Sequence, residues 1–292
     1  MWVVPYAAGG FGDALSRQLA QKLAAELGQP VVVENKPGAG GQIAAAYVKQ
    51  QPADGHTLFY GDVGPFSMNA GLYPKLNYDT LKDFAPLTRL LVSPTLLIVP
   101  VSSPLNNWQD LLAAAKSSKG LNYGSYGMGS QPHIWAEMFN QKIKGNMTHV
   151  AYKGGAPAVQ DLMAGHIDMM LDVVPSSIPL VREGKARALA VVGSERRLPQ
   201  LPQVPTITEL GLPDLDIPGW TGVVARRGTP DAILNQLHDA VVKAVKSPDV
   251  VQRYGDLGLE IAPSSRAEFE RLIQTETNRW GAAIRTAGVK LD

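Results

Sequence analysis

Two glycine-rich loops, one in each half of the chain, each lie between a short apolar strand and an amphipathic helix. They are residues 3–13, Val-Val-Pro-Tyr-Ala-Ala-Gly-Gly-Phe-Gly-Asp, and residues 121–131, Leu-Asn-Tyr-Gly-Ser-Tyr-Gly-Met-Gly-Ser-Gln. A strand, glycine loop and helix in this order direct free backbone N–H groups and the positive end of the helix dipole toward one point. Two such units indicate a cleft that holds a small anion, most simply a carboxylate, from both sides. One such loop alone could equally be a structural turn.

Short apolar strands alternate with helices along the chain, which is typical of an α/β protein with largely parallel sheets. The 292 residues suggest two domains, at ~100–200 residues per domain. We predict one domain from residues 1–99 and 223–292, and a second, inserted domain from residues 100–222. The chain then crosses twice between the domains, near residues 99–101 and 219–223.

Local signals locate several elements. Leucines recur at every fourth residue from Leu15 to Leu27 and predict one face of a helix that Gly28 ends. Ser265 and Glu268 have the spacing of a capping box and predict the start of the last helix. Apolar runs predict strands at residues 31–33, 57–60, 96–99, 121–123, 167–171 and 220–225.

Composition argues against several classes of protein. The chain has 27 Lys plus Arg against 26 Asp plus Glu, a net charge of +1, which gives no support to a nucleic-acid partner or an anionic membrane surface. It has no cysteine, which excludes thiol catalysis, disulfides and cysteine-based zinc sites. Its longest apolar stretch, residues 90–101, falls far short of the ~20 residues of a membrane span.

No glycine loop matches a nucleotide-binding motif. The three Gly-x-Gly sequences have Leu15, Ile43 and Pro132 where a dinucleotide loop needs a third Gly or Ala. The only Gly-Lys pair is followed by Ala186 rather than Ser or Thr, which argues against a phosphate-binding loop. The five histidines are scattered without metal-ligand spacing. We therefore expect neither a cofactor nor a metal.

Four polar side chains near the loops are candidates for chemistry. Asp13 would repel a carboxylate and is spaced to pair with Arg17, so we favour a structural role for it. His133 lies in the first turn after the second loop. Lys153 could be a charge partner or a nucleophile. Asp172 ends a strand where α/β proteins bind ligands, and it could bind ligand or fix a neighbouring loop.

Further short segments carry a family resemblance, among them Val-Glu-Asn-Lys-Pro-Gly-Ala-Gly-Gly at residues 33–41 and Leu-Tyr-Pro-Lys-Leu-Asn-Tyr-Asp at residues 72–79. With residues 4–13, 54–58, 83–86, 121–125, 151–154, 204–206 and 228–230, they make the chain resemble the periplasmic substrate-binding proteins of tripartite tricarboxylate transporters, the Bug-type receptors. Each segment alone is weakly specific, but their order and number make the resemblance specific.

The resemblance implies a two-lobed Venus-flytrap α/β fold, in which each lobe is a mainly parallel sheet flanked by helices and the ligand cleft lies between the lobes. It implies a periplasmic receptor, not an enzyme, that delivers a small carboxylate to membrane permease subunits, and we expect a monomer. In the family, backbone groups and ordered water of the two loops hold the carboxylate. The candidate ligand-binding residues are Tyr6, Ala8, Gly9, Gly10, Asp13, Gly64, Ser125, Gly127, Gly129, Ser130, Gln131, His133, Lys153 and Asp172.

The chain departs from the family pattern at the cleft and at its start. Tyr6 stands where Phe is usual, Tyr126 and Met128 enlarge the second loop, and Trp135 replaces a small residue. Met1 leads directly into a strand, and the signal peptide that is usual in the family does not precede it. We expect that an export signal has been removed or trimmed from this chain, or that the gene start is misplaced.

Two other functions remain open from the residues alone. One is an α/β enzyme that acts on a carboxylate with Lys153 or His133 as its base, and the other is a ligand-sensing module for a signalling partner. We also expect that a side chain at Gly10 or Gly129 would occupy the space of the ligand and conflict with a positive φ angle.

Overall fold

The computed structural model describes residues 1–291. The strands in that range are β1 (Trp2–Val4), β2 (Val33–Asn35), β3 (Leu58–Asp62), β4 (Phe84–Ser93), β5 (Thr95–Pro100), β6 (Leu121–Ser125), β7 (Met147–Ala151), β8 (Met169–Val173), β9 (Ala186–Val192), β10 (Gly219–Arg226) and β11 (Glu260–Ile261). The α-helices are α1 (Phe11–Leu27), α2 (Gln42–Lys49), α3 (Asn69–Leu72), α4 (Thr80–Asp83), α5 (Trp108–Lys116), α6 (Gln131–Ile143), α7 (Gly155–Ala164), α8 (Val174–Arg182), α9 (Asp231–Val245), α10 (Pro248–Asp256) and α11 (Arg266–Ala287).

Two sheets form the two lobes. The first has the strand order β11-β4-β10-β3-β1-β2, and the second has the order β7-β6-β8-β5-β9. Strand β1 pairs in parallel with β2 and β3, and β6 pairs in parallel with β7 and β8. The remaining strand pairs are antiparallel. The predicted two-lobed α/β fold is confirmed, but the sheets are mixed rather than mainly parallel as predicted. The reason is that the strands that carry the chain between the lobes pair antiparallel to their neighbours.

The chain first passes from one sheet to the other at Pro94, between β4 and β5. Ser93 pairs with Gly219 in the first sheet, whereas Thr95 pairs with Val173 in the second. The predicted boundary at residues 99 and 100 therefore falls inside β5 and must move to Pro94. The return crossing ends where β10 begins, at Gly219 rather than at residue 223. An apolar run such as residues 96–99 shows that a strand is buried, but not in which sheet it is buried.

The crossing at Pro94 makes two sheet edges face each other. Strands β3 and β4 run in the same direction, because each is antiparallel to β10. Strand β5 is antiparallel to β8, so it starts beside the end of β8. Pro94 therefore joins the carboxyl edges of the two sets of parallel strands. The loops that follow β1, β3, β6 and β8 line the cleft between these edges.

Strand β4, the longest strand of the first sheet, was not predicted. It contains Pro86, which cannot donate a hydrogen bond to a neighbouring strand and usually argues against a central strand. Here Val224 of β10 pairs with Pro86 next to a register shift, and the irregularity accommodates the proline.

Helices cover both faces of the sheets, and their ends follow local signals. Helix α1 ends at Gly28, which has a φ of 64°, and the capping box of Ser265 and Glu268 starts α11, as predicted. Large aromatic side chains such as Trp220 and Trp280 fill the core between α11 and the first sheet. Among the helices of residues 1–291, none combines the length and the apolar character that crossing a membrane requires.

Candidate functional site

The two glycine loops lie at the facing edges of the sheets. Residues 5–10 connect β1 to α1, and residues 126–130 connect β6 to α6. The residues at the N-caps, Gly10 and Ser130, make no side-chain cap to their helices. N–H groups in the first turn of each helix therefore have neither a partner within the helix nor a cap. Both helices present these groups to the cleft.

Asp13 and Arg17 hold the first loop from the start of α1. Asp13 Oδ2 accepts hydrogen bonds from the Gly9 N–H at 2.9 Å and from Arg17 Nε at 3.0 Å. The bond from Arg17, followed by the bond from Gly9, lowers the pKa of Asp13 to about 2. Asn35 holds the other end of the loop, where its Nδ2 donates to the Tyr6 carbonyl at 3.0 Å. The predicted pairing of Asp13 with Arg17 is confirmed, and the carboxylate is engaged by its own loop.

Glycine is required in the first loop at Gly9 rather than at Gly10. The φ angle is 84° at Gly9 and −78° at Gly10. A methyl group at Gly10 would meet only the Ala7 carbonyl oxygen, at 3.6 Å. The expected positive φ at Gly10 is therefore wrong. In the second loop φ is 123° at Gly127 and 74° at Gly129, and the expectation for Gly129 is confirmed.

A hydrogen-bonded pair beside the first loop was not selected from the sequence. Tyr6 Oη donates to Asp62 Oδ2 at 2.6 Å, and Asp62 Oδ1 accepts the Gly64 N–H at 2.9 Å. Asp62 ends β3, the parallel neighbour of β1. A signal was present, because the sequence Asp-Val-Gly-Pro at residues 62–65 reappears as Asp-Val-Val-Pro at residues 172–175 after β8. The candidate Gly64 lies in this turn.

Hydroxyl groups and a histidine ring shape the second loop. The Gly129 N–H donates to His133 Nδ1 at 3.0 Å, and Ser130 Oγ donates to the Gly127 carbonyl at 2.7 Å. Ser125 Oγ lies 2.7 Å from His149 Nε2 and accepts the Gly127 N–H at 3.1 Å. These contacts fix the loop conformation and leave Met128 at its exposed tip.

The rings of His133 and His149 stack on each other with centroids 3.8 Å apart. Burial lowers the pKa of each ring to about 4, and for His149 the neighbouring His133 adds to the effect. Both rings are therefore neutral at pH 7, which lets His133 Nδ1 accept the Gly129 N–H. The sequence identified His133 as a candidate because it follows the second loop. It did not identify His149, because His149 is distant from His133 along the chain and meets it only in the folded protein.

We expect the stacked histidines to make stability depend on pH. An unfolded histidine titrates near pH 6.5, so between pH 6.5 and about 4 the unfolded chain binds protons that the folded chain does not. The free energy of unfolding should therefore decrease as the pH falls from 6.5 toward 4. Urea denaturation at pH 7 and pH 4.5 should show a smaller decrease for His149→Gln than for the wild type. His166→Gln, which changes an exposed ring, should behave like the wild type, and equal decreases in all three proteins would contradict the expectation.

Asp172 fixes the loops on its side of the cleft. It accepts hydrogen bonds from Tyr126 Oη and, at 2.6 Å, from Ser177 Oγ. Tyr126 Oη in turn accepts the Val173 N–H at 3.1 Å. Asp172 is only 1% exposed. Of the two predicted roles, these contacts support the one in which Asp172 holds a neighbouring loop.

Gln131 and Lys153 occupy different parts of the cleft edge. Gln131 begins α6, and its Nε2 is buried without a hydrogen-bond partner among residues 1–291. Lys153 is exposed in the turn before α7. A cavity of about 540 Å³ lies near that turn, at the end of β8. It is lined by Tyr126, Gly155, Ala156, Val159, Gln160, Asp172, Val173, Ser176 and Leu180.

A larger groove lies elsewhere in the first lobe. It has a volume of about 640 Å³ and is lined in part by Lys49, Asp83 and Arg226. Asp83 immediately precedes β4 and Arg226 ends β10, so this groove is at the sheet edge opposite the glycine loops. Its position separates it from the cleft.

A family model described as the tripartite tricarboxylate transporter family receptor matches residues 15–289. The chain belongs to this family. The resemblance drawn from the sequence is thus confirmed, and the family consists of solute receptors.

Relatives match the chain over almost its whole length. A protein of Pseudomonas sp. strain P51, described as UPF0065 protein in the tcbD-tcbE intergenic region, is 37% identical over 285 residues, covering 97% of this chain and 84% of the relative. BugT of Bordetella pertussis is 32% identical over 291 residues, covering 99% of this chain and 89% of BugT.

Solved structures of two proteins share the fold. MatC from Rhodopseudomonas palustris, solved with bound malate, superposes with a TM-score of 0.83 at 35% identity, covering 97% of this chain and 98% of MatC. Rpa4515 from R. palustris, solved with adipate, superposes with a TM-score of 0.85 at 35% identity, covering 99% and 97%.

Proposed function

We propose that this protein is a periplasmic solute receptor that binds a small carboxylate between its lobes and delivers it to the permease subunits of a tripartite transporter. The observation that carries the proposal is the pair of uncapped N-termini of α1 and α6 at the facing sheet edges. Free N–H groups and the helix dipole both favour an anion at such a position. Similarity to MatC with malate and Rpa4515 with adipate supports a carboxylate as that anion.

The proposed contacts follow from where the loops place their groups. Residues 8–10 of the first loop are exposed. Because the Gly9 N–H donates to Asp13, we propose that the N–H groups of Ala8 and Gly10 bind the carboxylate. In the second loop the N–H groups of Gly127 and Gly129 already donate to Ser125 and His133, so we propose that the N–H groups of Met128 and Gln131 act in the same way from the other lobe. Asp13, Ser125, His133 and Asp172 act by holding these loops, because their polar atoms already bond to loop groups. Lys153 is the candidate for a second charged group of the ligand.

The geometry favours a receptor over an enzyme. Ser125 and His149 have the separation of a nucleophile and its base. However, Ser125 is fully buried, and its hydroxyl also accepts the Gly127 N–H. His133 is 3% exposed and its Nδ1 is occupied by the Gly129 N–H. Neither Ser125 nor His133 presents a free nucleophile or base to a ligand in the cleft.

We expect at least one small mono- or dicarboxylate to raise the melting temperature and to be recovered unchanged. A ligand at ~100 times its dissociation constant adds about 2.7 kcal/mol to the free energy of unfolding. A thermal-shift screen of organic acids and amino acids measures the first effect, and chromatography after overnight incubation measures the second. No shift at millimolar acid would contradict carboxylate binding. Product formed by the wild type but not by Lys153→Ala or His133→Ala would contradict the receptor function.

A further inference from the structure

The two lobes place a tyrosine and an aspartate in the same relation to each other. Trp2 pairs with Leu58, and Tyr6 and Asp62 follow these residues at equal distances along the chain, Tyr6 just beyond β1 and Asp62 at the end of β3. In the second lobe Tyr123 pairs with Met169, and Tyr126 and Asp172 follow these two residues at equal distances. Each tyrosine hydroxyl donates to the aspartate of the neighbouring strand. The cleft therefore contains two equivalent tyrosine–aspartate pairs, one in each lobe.

The pair of the second lobe is closed by its own chain. Tyr126 Oη donates to Asp172 and accepts the Val173 N–H at 3.1 Å. The second oxygen of Asp172 accepts Ser177 Oγ at 2.6 Å. With Asp172 only 1% exposed, this pair offers no acceptor to a ligand.

The pair of the first lobe is open. Tyr6 and Asp62 are both partly exposed. Tyr6 Oη donates to Asp62 Oδ2 at 2.6 Å and the Gly64 N–H donates to Asp62 Oδ1 at 2.9 Å, but among residues 1–291 no group donates to Tyr6 Oη and no cation pairs with Asp62. Burial and the neighbouring Asp62 raise the pKa of Tyr6 well above its usual value. The Tyr6 hydroxyl therefore stays protonated and is the donor in the hydrogen bond to Asp62. The lone pairs of the Tyr6 oxygen therefore remain available as acceptors.

We propose that Tyr6 and Asp62 form a specificity-determining subsite that accepts a hydrogen bond from a hydroxyl or ammonium group on the bound carboxylate. The donor of the ligand takes the place that the Val173 N–H has in the second lobe. The inference rests on the proposed function and narrows its ligand to hydroxy- or amino-carboxylates. The solved relatives do not decide this point, since malate carries a hydroxyl group and adipate does not.

Selectivity follows from the cost of an unmade hydrogen bond. An unsubstituted acid would cover the Tyr6 oxygen without giving it a donor, and a buried acceptor without a donor is unfavourable. We expect the substituted acid to bind at least about tenfold more tightly than the unsubstituted acid of equal length. An ammonium group should gain further from the charge of Asp62, since a hydrogen bond to a charged group is stronger.

The test uses acids with the same carbon chain. Calorimetric titration compares succinate, malate and aspartate, then propionate, lactate and alanine, then adipate, 2-hydroxyadipate and 2-aminoadipate. Tyr6→Phe keeps the ring and should reduce the preference for the hydroxy acid to within about threefold. Asp62→Asn should reduce the preference for the amino acid more than the preference for the hydroxy acid. Tyr47→Phe, in α2 of the same lobe, removes a hydroxyl whose one hydrogen bond among residues 1–291 is to Met1, and it should keep the wild-type preferences.

Each outcome tests either the proposed subsite or the proposed function. Equal binding of substituted and unsubstituted acids by the wild type would overturn the subsite and leave the carboxylate receptor intact. A preference that persists in both Tyr6→Phe and Asp62→Asn would do the same, provided that circular dichroism shows folded variants. If the wild type bound none of these acids, the proposed function would fail, and the subsite with it.

Discussion

Gly129→Val should weaken carboxylate binding by at least about 100-fold. Gly129 has a φ of 74°, a conformation that β-branched residues rarely adopt. A methyl group there would lie 2.8 Å from Leu291 Cδ1 and 3.1 Å from Leu72 Cδ1, both in the other lobe. The substitution would therefore strain the loop and displace it from that lobe, and it would disturb the N–H that donates to His133. Calorimetric titration with an acid that binds the wild type measures the loss.

A matched control separates loop position from backbone strain. Gly184 has a φ of 67°, and a methyl group there would have no neighbour within 4 Å. Gly184 lies in the turn between α8 and β9, outside both glycine loops. Gly184→Val should lower stability but leave binding within about threefold of the wild type. Binding by a folded Gly129→Val that equals that of the control would show that the second loop does not contact the ligand.

Asp172→Ala should lower the free energy of unfolding by about 3 kcal/mol. The substitution removes the acceptor for Tyr126 Oη and for Ser177 Oγ, and Ser177 is fully buried. A buried hydroxyl that loses its partner costs roughly 1–3 kcal/mol. Urea denaturation at pH 7 measures the change.

Two variants test the cause of this loss. Asp256→Ala removes an exposed carboxylate at the end of α10 and should change stability by less than about 0.5 kcal/mol. Asp172→Asn retains one carbonyl acceptor and should fall between the wild type and Asp172→Ala. Losses of equal size in Asp172→Ala and Asp256→Ala would mean that the hydrogen bonds of Asp172 contribute little to the fold.

Features that depend on neighbouring residues could be predicted well. Gly28 ends α1, Ser265 and Glu268 cap α11, and Asp13 pairs with Arg17. Each of these arises within one or two helical turns, where residue type and spacing determine the contact. The order of the short segments along the chain also indicated the family before any contact was known.

Features that join distant parts of the chain could not be predicted in this way. Tyr6 meets Asp62 and Ser125 meets His149 only because each pair comes from two parallel strands that lie side by side in a sheet. The sequence also could not show that β5 belongs to the second sheet, since its apolar residues would be buried in either lobe. Strand β4 was not predicted because it contains Pro86, which usually argues against a central strand. In the structure an irregular pairing with β10 accommodates this proline.

The sequence by itself therefore determined the class of the fold, the family and the two loops that face the cleft. These follow from local patterns of glycine, apolar residues and helix caps. Only the tertiary structure decided that the hydroxyl of Tyr126 accepts an N–H of its own chain, whereas no group among residues 1–291 donates to the hydroxyl of Tyr6. That difference depends on which groups approach each hydroxyl from neighbouring segments, and such approaches are set by sheet pairing and packing rather than by the residues beside it.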